Sequence, residues 1–285
     1  MSALIQPNPI MPATSASDRP GAVDAARDAR RLTRITDALN DISFHSSSLI
    51  ACEPGRFALG GESWNLPRYL FVGPQGGGEP LRVGIFAGIH GDEPAGSFGL
   101  LRFVRLLESN PEIARGYCLF LYPVCYPTGF TDRTRHNRHG RDLNREFWTN
   151  SAEPEVRLLE SELWVHAFHG LISLHSDNTS DGVYGYAHGP LLTEHLLRPA
   201  LAAASLFLPR NQGEVIDGFR ARDGIIRDQF DGILRAPPAV RPRPFEVILE
   251  TPQAAPQYLQ ESALAVALRT VLDEYRSLVA YAANL

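Results

Sequence analysis

The sequence predicts an α/β protein: a single domain built on a mostly parallel mixed sheet covered by helices on both faces. Three observations predict it. The runs LRVGIFAGI (81–89), YCLFLYPVCY (117–126), LISLH (171–175) and FEVILE (245–250) have strand length and no in–out alternation, as strands buried on both faces do. Between them lie segments whose apolar residues recur at three- and four-residue steps, the period of a helix. No linker long enough to divide two domains interrupts the pattern, and 285 residues suit one large domain.

Taken in order, residues 1–22 are expected to form a disordered tail. Four of the 22 prolines fall in the first twenty positions, among Ser, Ala and Asp. The folded domain is expected over 23–285. Leu32, Ile35, Leu39 and Ile42 recur at helical spacing. LIACEPGRFAL (49–59) and RYLFVGP (68–74) read as strands joined by tight connections, followed by the turn-rich GPQGGGEP (73–80). After 81–89, Pro94 opens a helix carrying Leu100, Leu101, Val104 and Leu107. Further helices are expected over 153–168, with Val156, Leu159 and Leu163 on one face, and over 190–207. The last helix is the clearest, with Leu264, Leu268, Val271, Tyr275 and Leu278 in step. APPAVRPRP (236–244) reads as a surface loop.

Composition narrows the function. Apolar residues make up 44% of the chain and charged residues 21%, enough to bury a sizeable core. The formal charge of −5, from 27 basic and 32 acidic side chains, argues against a general partner for nucleic acid or acidic membranes. No apolar run approaches the ~20 residues of a spanning helix, and the first twenty residues lack the basic start and apolar core of a secretory signal. Three cysteines cannot pair completely. Cys118 and Cys125 fall in one strand-like segment at a separation that turns their side chains to opposite faces, and Cys52 stands alone. A reducing, cytoplasmic setting is the expectation.

Ligands of such sheets collect beyond the carboxyl ends of the strands, and the polar residues cluster there. His90-Gly91-Asp92-Glu93 follows the strand over 81–89 directly. A His and a carboxylate three apart in a loop can turn onto one metal ion, and two His plus one Glu with an open position is a catalytic zinc set. His175 supplies the third ligand at a second strand end. H-E-x-x-H is not present, so the helix-borne version of the site is excluded. The segment TDRTRHNRHGRDLNREF (131–147) holds five arginines in thirteen residues. Asp132, Asp142 and Glu146 dilute its charge, and the rigid fork of arginine suits carboxylates and developing oxyanions. A site for a carboxylate-bearing substrate is therefore expected. His166 and His169, three apart on the expected helix, read as a polar face; His136 and His139 belong to the arginine loop, and His45, His188 and His195 have no partner pattern. Trp148 and Trp164 are expected in the core or the cleft wall.

HGDE, TRHNRHGRDLNREF, ISLHS and LETP, in that order over 90–252, resemble the zinc metallocarboxypeptidases of the carboxypeptidase A type. Their superfamily also holds murein-peptide amidases and the succinylglutamate desuccinylase/aspartoacylase branch. The resemblance implies a zinc carboxypeptidase-like fold over about 45–285 and one zinc ion per chain, held by His90, Glu93 and His175. It implies Asn144 and Arg145 as the pair holding a substrate carboxylate, and Arg135 as the group polarising the scissile carbonyl. The form T-R-x-N-x-x-G-x-D-L-N-R leans toward peptidases and amidases. The general base should be a glutamate on a late strand. FEVILETP offers Glu246 and Glu250 on one side of the strand; Glu250, at its carboxyl end, is the choice, with Glu246 an edge residue or a specificity contact. Asp92 is a candidate to orient His90. N-R-E-F-W stands where the family often reads N-R-N-F-P, and neither Tyr184 nor Tyr186 matches the position of the tyrosine that folds over substrate. The expected activity is zinc-dependent cleavage of an amide bond beside a carboxylate-bearing residue of a small peptide. The alternatives are hydrolysis of N-acyl amino acids and an inactive carboxylate-binding protein. Side-chain preference is expected to reside in 205–245, and oligomeric state is left open.

Overall fold

The computed structural model describes residues 22–53 and 55–282, with side chains described from residue 31 onward. The tail expected over 1–22 therefore lies outside the described residues, except for Ala22, where the first helix begins. Helix α1 (Ala22–His45) leads into β1 (Leu49–Ala51), the hairpin of β2 (Gly55–Leu59) and β3 (Glu62–Leu66), and β4 (Tyr69–Val72). Next come β5 (Leu81–Ala87), α2 (Pro94–Ser109), β6 (Tyr117–Tyr122), the short α3 (Pro127–Asp132), α4 (Pro154–Val165), β7 (Gly170–Asp177) and β8 (Tyr184–Ala187). The chain continues through α5 (Pro190–Leu192), a π turn, α6 (Arg198–Ala204), β9 (Val215–Ile216), β10 (Phe219–Arg222), β11 (Ile225–Ile226), β12 (Phe245–Pro252) and α7 (Gln257–Ala282).

Among the described residues ten strands form one mixed sheet in the order β1-β4-β6-β5-β7-β12-β8-β11-β10-β9, and β2–β3 stands apart. The centre, β6-β5-β7-β12, is parallel, while β1, β4, β9 and β10 pair antiparallel at the flanks and β8 runs against β12. Alternation along β5 shows how both faces are filled. Val83, Ile85 and Ala87 join the cluster containing Ile35 of α1, Leu100 of α2 and Leu268 of α7. Phe86 points the other way, to Tyr122, Phe168 and Leu159 of α4. It stacks on Tyr122 with ring centroids 4.6 Å apart. The single α/β domain and the doubly covered sheet are as the sequence predicts.

Several boundaries differ, each for a local reason. β6 ends at Tyr122, before Pro123, so Cys125 lies outside the strand and the two-face reasoning about Cys118 and Cys125 does not apply; all three cysteines are nonetheless unpaired. The helix expected over 153–168 stops at Val165, because Ala167 adopts a left-handed φ of 46°. His166 and His169 thus share no helix face: His166 faces Glu162 at 3.1 Å, and His169 Nδ1 accepts from Arg82 N at 2.9 Å. The helix expected over 190–207 is broken by the π turn Thr193–Leu197. Pro199 has no N–H to give the carbonyl four residues back, and the backbone opens into a wider turn there. Trp164 is not core but 53% exposed. Part of the 236–244 loop is buried, at Ala236 and Pro237.

Candidate active site and metal centre

Because β5, β7 and β12 are parallel neighbours, their carboxyl ends share one edge of the sheet. His90 follows β5 by three residues, and in the register of β12 on β7 Glu250 pairs with His175. Gly91 lets the His90 loop pass close to α3: a Cβ there would lie 1.9 Å from the Gly129 carbonyl carbon. Glu93 sits just before Pro94 at the start of α2.

These placements bring the three expected ligands together. Ligand atoms of His90, Glu93 and His175 all lie within 4.8 Å of one another, and all three side chains are buried. His90 Nδ1 is 2.6 Å from Glu93 Oε1, and His175 Nδ1 is 3.0 Å from Glu93 Oε2. Each ring is held from its far nitrogen. His90 Nε2 donates to Asp142 Oδ1 at 3.0 Å, and His175 Nε2 lies 2.9 Å from Ser173 Oγ. A ring that gives its Nε2 proton to an oxygen presents an Nδ1 lone pair, which is the state a metal requires. The donor chemistry, two lone-pair nitrogens and a carboxylate in a buried pocket, therefore fits zinc.

The electrostatics agree with that fit. Burial pushes the His90 imidazolium down, but Glu93 and Asp142 outweigh it and raise its pKa to about 9. Against the same burial, the two histidines hold the Glu93 carboxyl far below the carboxylate range. His175 is pushed below the ordinary imidazole value, chiefly by burial. The pocket thus stabilises a positive charge among its donors.

Asp142 has a role the sequence reading missed. The loop 136–142 doubles back, with Asn137 N bonded to Arg141 O and Asn137 Oδ1 accepting from His139 N and Arg141 N. This return sets Asp142 against His90 through Oδ1 and against Arg135 through Oδ2, which accepts from Nη2 at 3.0 Å and Nε at 3.2 Å. Asp142 Oδ1 also accepts from Asn144 N. Asp92, the earlier candidate for orienting His90, does not do so: its Oδ1 is buried with no hydrogen-bond partner. Replacing Asp142 with asparagine is expected to weaken zinc affinity about 10–100-fold. Competition with a chromophoric chelator checks it, and unchanged affinity would remove Asp142 from the site.

Arg135 Nη1 reaches Glu93 Oε1 at 3.0 Å and His90 Nδ1 at 3.3 Å, so its guanidinium borders the donor cluster. Asn144 Oδ1 accepts from Leu234 N, which leaves its NH2 group to donate. Arg145 lies over the Phe230 ring, 4.0 Å from the centroid, and Phe230 packs edge-on against Phe219 at 4.7 Å. Glu250 lines the same cleft. Burial first, then the negative charges of Glu93, Asp177 and Asp217, pushes its carboxyl well above the ordinary value. Glu146, the departure from the family pattern, turns away from the cleft and braces Arg141 and Ser151.

The cleft encloses about 280 Å3. One wall comes from the stretch in which no strand was expected. β9–β10 turns at Asp217-Gly218 (φ 50° and 80°) and β10–β11 at Asp223-Gly224 (φ 54° and 74°). Both are two-residue Asp-Gly turns of the hairpin type, a signal present in the sequence and overlooked. They carry Asp217, Phe219 and Ile226 to the cleft. Tyr184 and Tyr186 line it too, but both are buried. The Tyr184 hydroxyl donates to Asp177, and that of Tyr186 lies 3.3 Å from His188 Nδ1. Glu246 is no edge residue: it is 5% exposed beneath the cleft floor, with Oε1 accepting from Ala236 N.

Comparisons with known proteins agree with this fold. The catalytic-domain model of succinylglutamate desuccinylase/aspartoacylase matches residues 80–209. Among solved structures, a candidate metallopeptidase from Shewanella amazonensis SB2B shares 24% identity, with 88% of this chain and 92% of that one covered at a TM-score of 0.66. A metallo-carboxypeptidase from Burkholderia cenocepacia aligns at 0.68 with 15% identity, covering 87% of this chain and 69% of that one. Bovine thrombin-activatable fibrinolysis inhibitor, in complex with tick carboxypeptidase inhibitor, aligns at 0.58 with 15% identity, covering 85% and 95%. At these identities the solved structures share the fold. No curated protein matches the sequence. Fold and site set a two-histidine, one-carboxylate cluster at the carboxyl edge of a mixed sheet. Over residues 80–209 the chain is similar to the succinylglutamate desuccinylase/aspartoacylase catalytic domain, and its fold is shared with the metallo-carboxypeptidase structure.

Proposed function

We propose that the protein is a zinc-dependent hydrolase that cleaves an amide bond beside a carboxylate-bearing residue of a small peptide. The convergence of His90 Nδ1, His175 Nδ1 and the Glu93 carboxylate carries this reading. Bound by these three, one zinc ion per chain would supply Lewis acidity and lower the pKa of water toward ~7. Glu250 accepts a proton from the attacking water and returns it to the leaving nitrogen; its raised pKa suits a group that must both take and give. Arg135 donates to the carbonyl oxygen as negative charge develops there. Asn144 and Arg145 hold the substrate carboxylate, so the reacting bond is positioned before attack.

Two arginines with separate duties make a sharp test. Arg145 binds a group that is charged throughout the reaction, so Arg145→Ala is expected to raise KM about 10–100-fold, the size of a lost charge-assisted bond. Arg135 meets charge only in the transition state, so Arg135→Ala is expected to lower kcat about 10²–10³-fold. Equal effects of both variants on both constants would refute the division.

The match to the desuccinylase/aspartoacylase model supports a second reading, hydrolysis of an N-acyl amino acid. The apolar cleft wall of Phe219, Ile226, Ile233 and Ile248 favours a larger peptide side chain over that smaller substrate. Short peptides and N-acyl amino acids, assayed with zinc and with chelator, separate the two. Turnover of N-acyl amino acids alone would overturn the peptidase reading. Less than ~0.3 equivalents of zinc, not restored by added zinc, would instead mark an inactive binding protein, since an intact three-ligand centre holds its metal. The net charge of −5 supports a partner set without nucleic acid or acidic membrane. Among the described residues no helix is long and apolar enough to cross a membrane, and the three unpaired cysteines support a cytoplasmic setting.

A further inference from the structure

Two arginines line the cleft, and they are held in different ways. Arg135 is fixed by carboxylates: Glu93 Oε1 accepts from its Nη1 at 3.0 Å and Asp142 Oδ2 from its Nη2 at 3.0 Å. Arg145 pairs with no carboxylate among the described residues. Its Nη1 donates to the Asn144 carbonyl at 2.7 Å, and its guanidinium carbon sits 4.0 Å above the Phe230 ring. Phe219 of β10 braces that ring edge-on, at an interplanar angle of 66°. The chain after Phe230 then runs along residues 144–147. Gly232 O accepts from Phe147 N at 2.9 Å, and Leu234 N donates to Asn144 Oδ1 at 2.8 Å. A Cβ on Gly232, whose φ is 69°, would lie 2.1 Å from the Arg145 carbonyl oxygen, so the two backbones meet directly. Ile233 and Leu234 are buried, whereas Phe230 is 36% exposed at the cleft. The segment 230–234 thus touches both Asn144 and Arg145, and Phe230 is the residue whose side chain meets the charge.

We propose that Phe230 is a positioning residue for the carboxylate site: its ring holds the Arg145 guanidinium in place without neutralising it, so that its free N–H donors meet a planar substrate carboxylate. This rests on the reading of Asn144 and Arg145 as the pair that binds that carboxylate. Three physical features support it. An aromatic face attracts a cation through its quadrupole and accepts no N–H bond, so the charge stays available, whereas a carboxylate brace such as the one on Arg135 would compete with substrate. The donor count agrees. A guanidinium carries N–H donors in its own plane, and only the bond to the Asn144 carbonyl uses one; the others remain for the fork geometry that a carboxylate prefers. Ordering is the third. An unbraced arginine side chain is long and mobile, and its freedom is lost when substrate binds; a side chain already stacked loses less. Phe219 extends this support to β10, so the antiparallel flank contributes to the site through Phe230.

The test compares the zinc-loaded protein with Phe230→Leu, which keeps an apolar side chain and removes the π face, and with Phe230→Tyr, which keeps the ring. Each is assayed on one N-acyl dipeptide as the free acid and as the carboxamide. Phe230→Leu is expected to raise KM for the acid about 3–30-fold, the range of a cation–π contact. Its acid-to-amide preference in kcat/KM should fall by the same factor, with kcat for the acid held within about twofold, and Phe230→Tyr should keep the native preference. In an Arg145→Ala background, Phe230→Leu is expected to raise KM no further, because the ring then has nothing to hold. Equal losses on acid and amide, or effects that add in the double variant, overturn the proposal and leave Phe230 as packing for the segment 230–234. If no peptide is cleaved, the hydrolase reading fails separately. Calorimetry with N-acetylphenylalanine and its carboxamide then decides this one: acid binding no tighter than amide binding in the native protein, or unchanged acid binding in Phe230→Leu, refutes it.

Discussion

Glu250→Gln is expected to lower kcat about 10²–10⁴-fold while leaving one equivalent of zinc bound, the loss typical of removing a positioned general base. Glutamine fills the same space and can still donate and accept hydrogen bonds, but it cannot take the proton. Two structural facts make Glu250 the residue to test. It pairs with His175 in the register of β12 on β7, which puts it at the strand edge where His90 also lies. Its carboxyl is also pushed well above the ordinary carboxylate value, by burial first and then by Glu93, Asp177 and Asp217. Glu246 shares the strand face but is buried outside the lining of the cleft, so its loss should leave the chemical step largely unchanged. Turnover and metal content of both variants decide the assignment. A dead Glu246→Gln beside an active Glu250→Gln would show that the working carboxylate lies four residues earlier.

Legibility followed the range of the interactions. β5, β7 and β12 could be read because strands buried on both faces must be apolar along their whole length, and the ligands stood out as polar residues at the ends of such runs. α7 and α2 could be read from helical periodicity for the same reason: one apolar stripe meets one core. The antiparallel flank was different. β9, β10 and β11 are two to four residues long and half exposed, too short to show a period. Their turns did carry a local mark, Asp217-Gly218 and Asp223-Gly224, where paired positive φ values make Asp-Gly favourable. Asp142 was visible only as a charge diluting an arginine loop. Its partnership with His90 joins residues 52 apart in sequence, and only the folded return of loop 136–142 creates it. Glu246 shows the same limit: strand parity placed it on the correct face, but its burial depends on the 236–244 loop packing over it.

The remaining large effect concerns the metal centre. His90→Ala, Glu93→Ala and His175→Ala are each expected to reduce bound zinc from about one equivalent to below ~0.2 after dialysis and to abolish turnover, because two ligands and water rarely hold zinc against buffer. The three losses differ in their structural cost. Glu93 accepts from Ser176 N and Arg135 Nη1 and faces His90 and His175, so its removal leaves buried donors unpaired and should also lower Tm. His175 contacts Ser173 and Glu93 within the sheet edge, and its loss opens space between β7 and α2. His90→Ala frees Asp142, which retains Arg135 and Asn144 N as partners, so this variant should stay closest to native stability. It is therefore the cleanest probe. Metal analysis by mass spectrometry, with a melting curve for each variant, separates metal loss from unfolding. A folded His90→Ala protein that retained full zinc and normal turnover would show that the centre lies elsewhere.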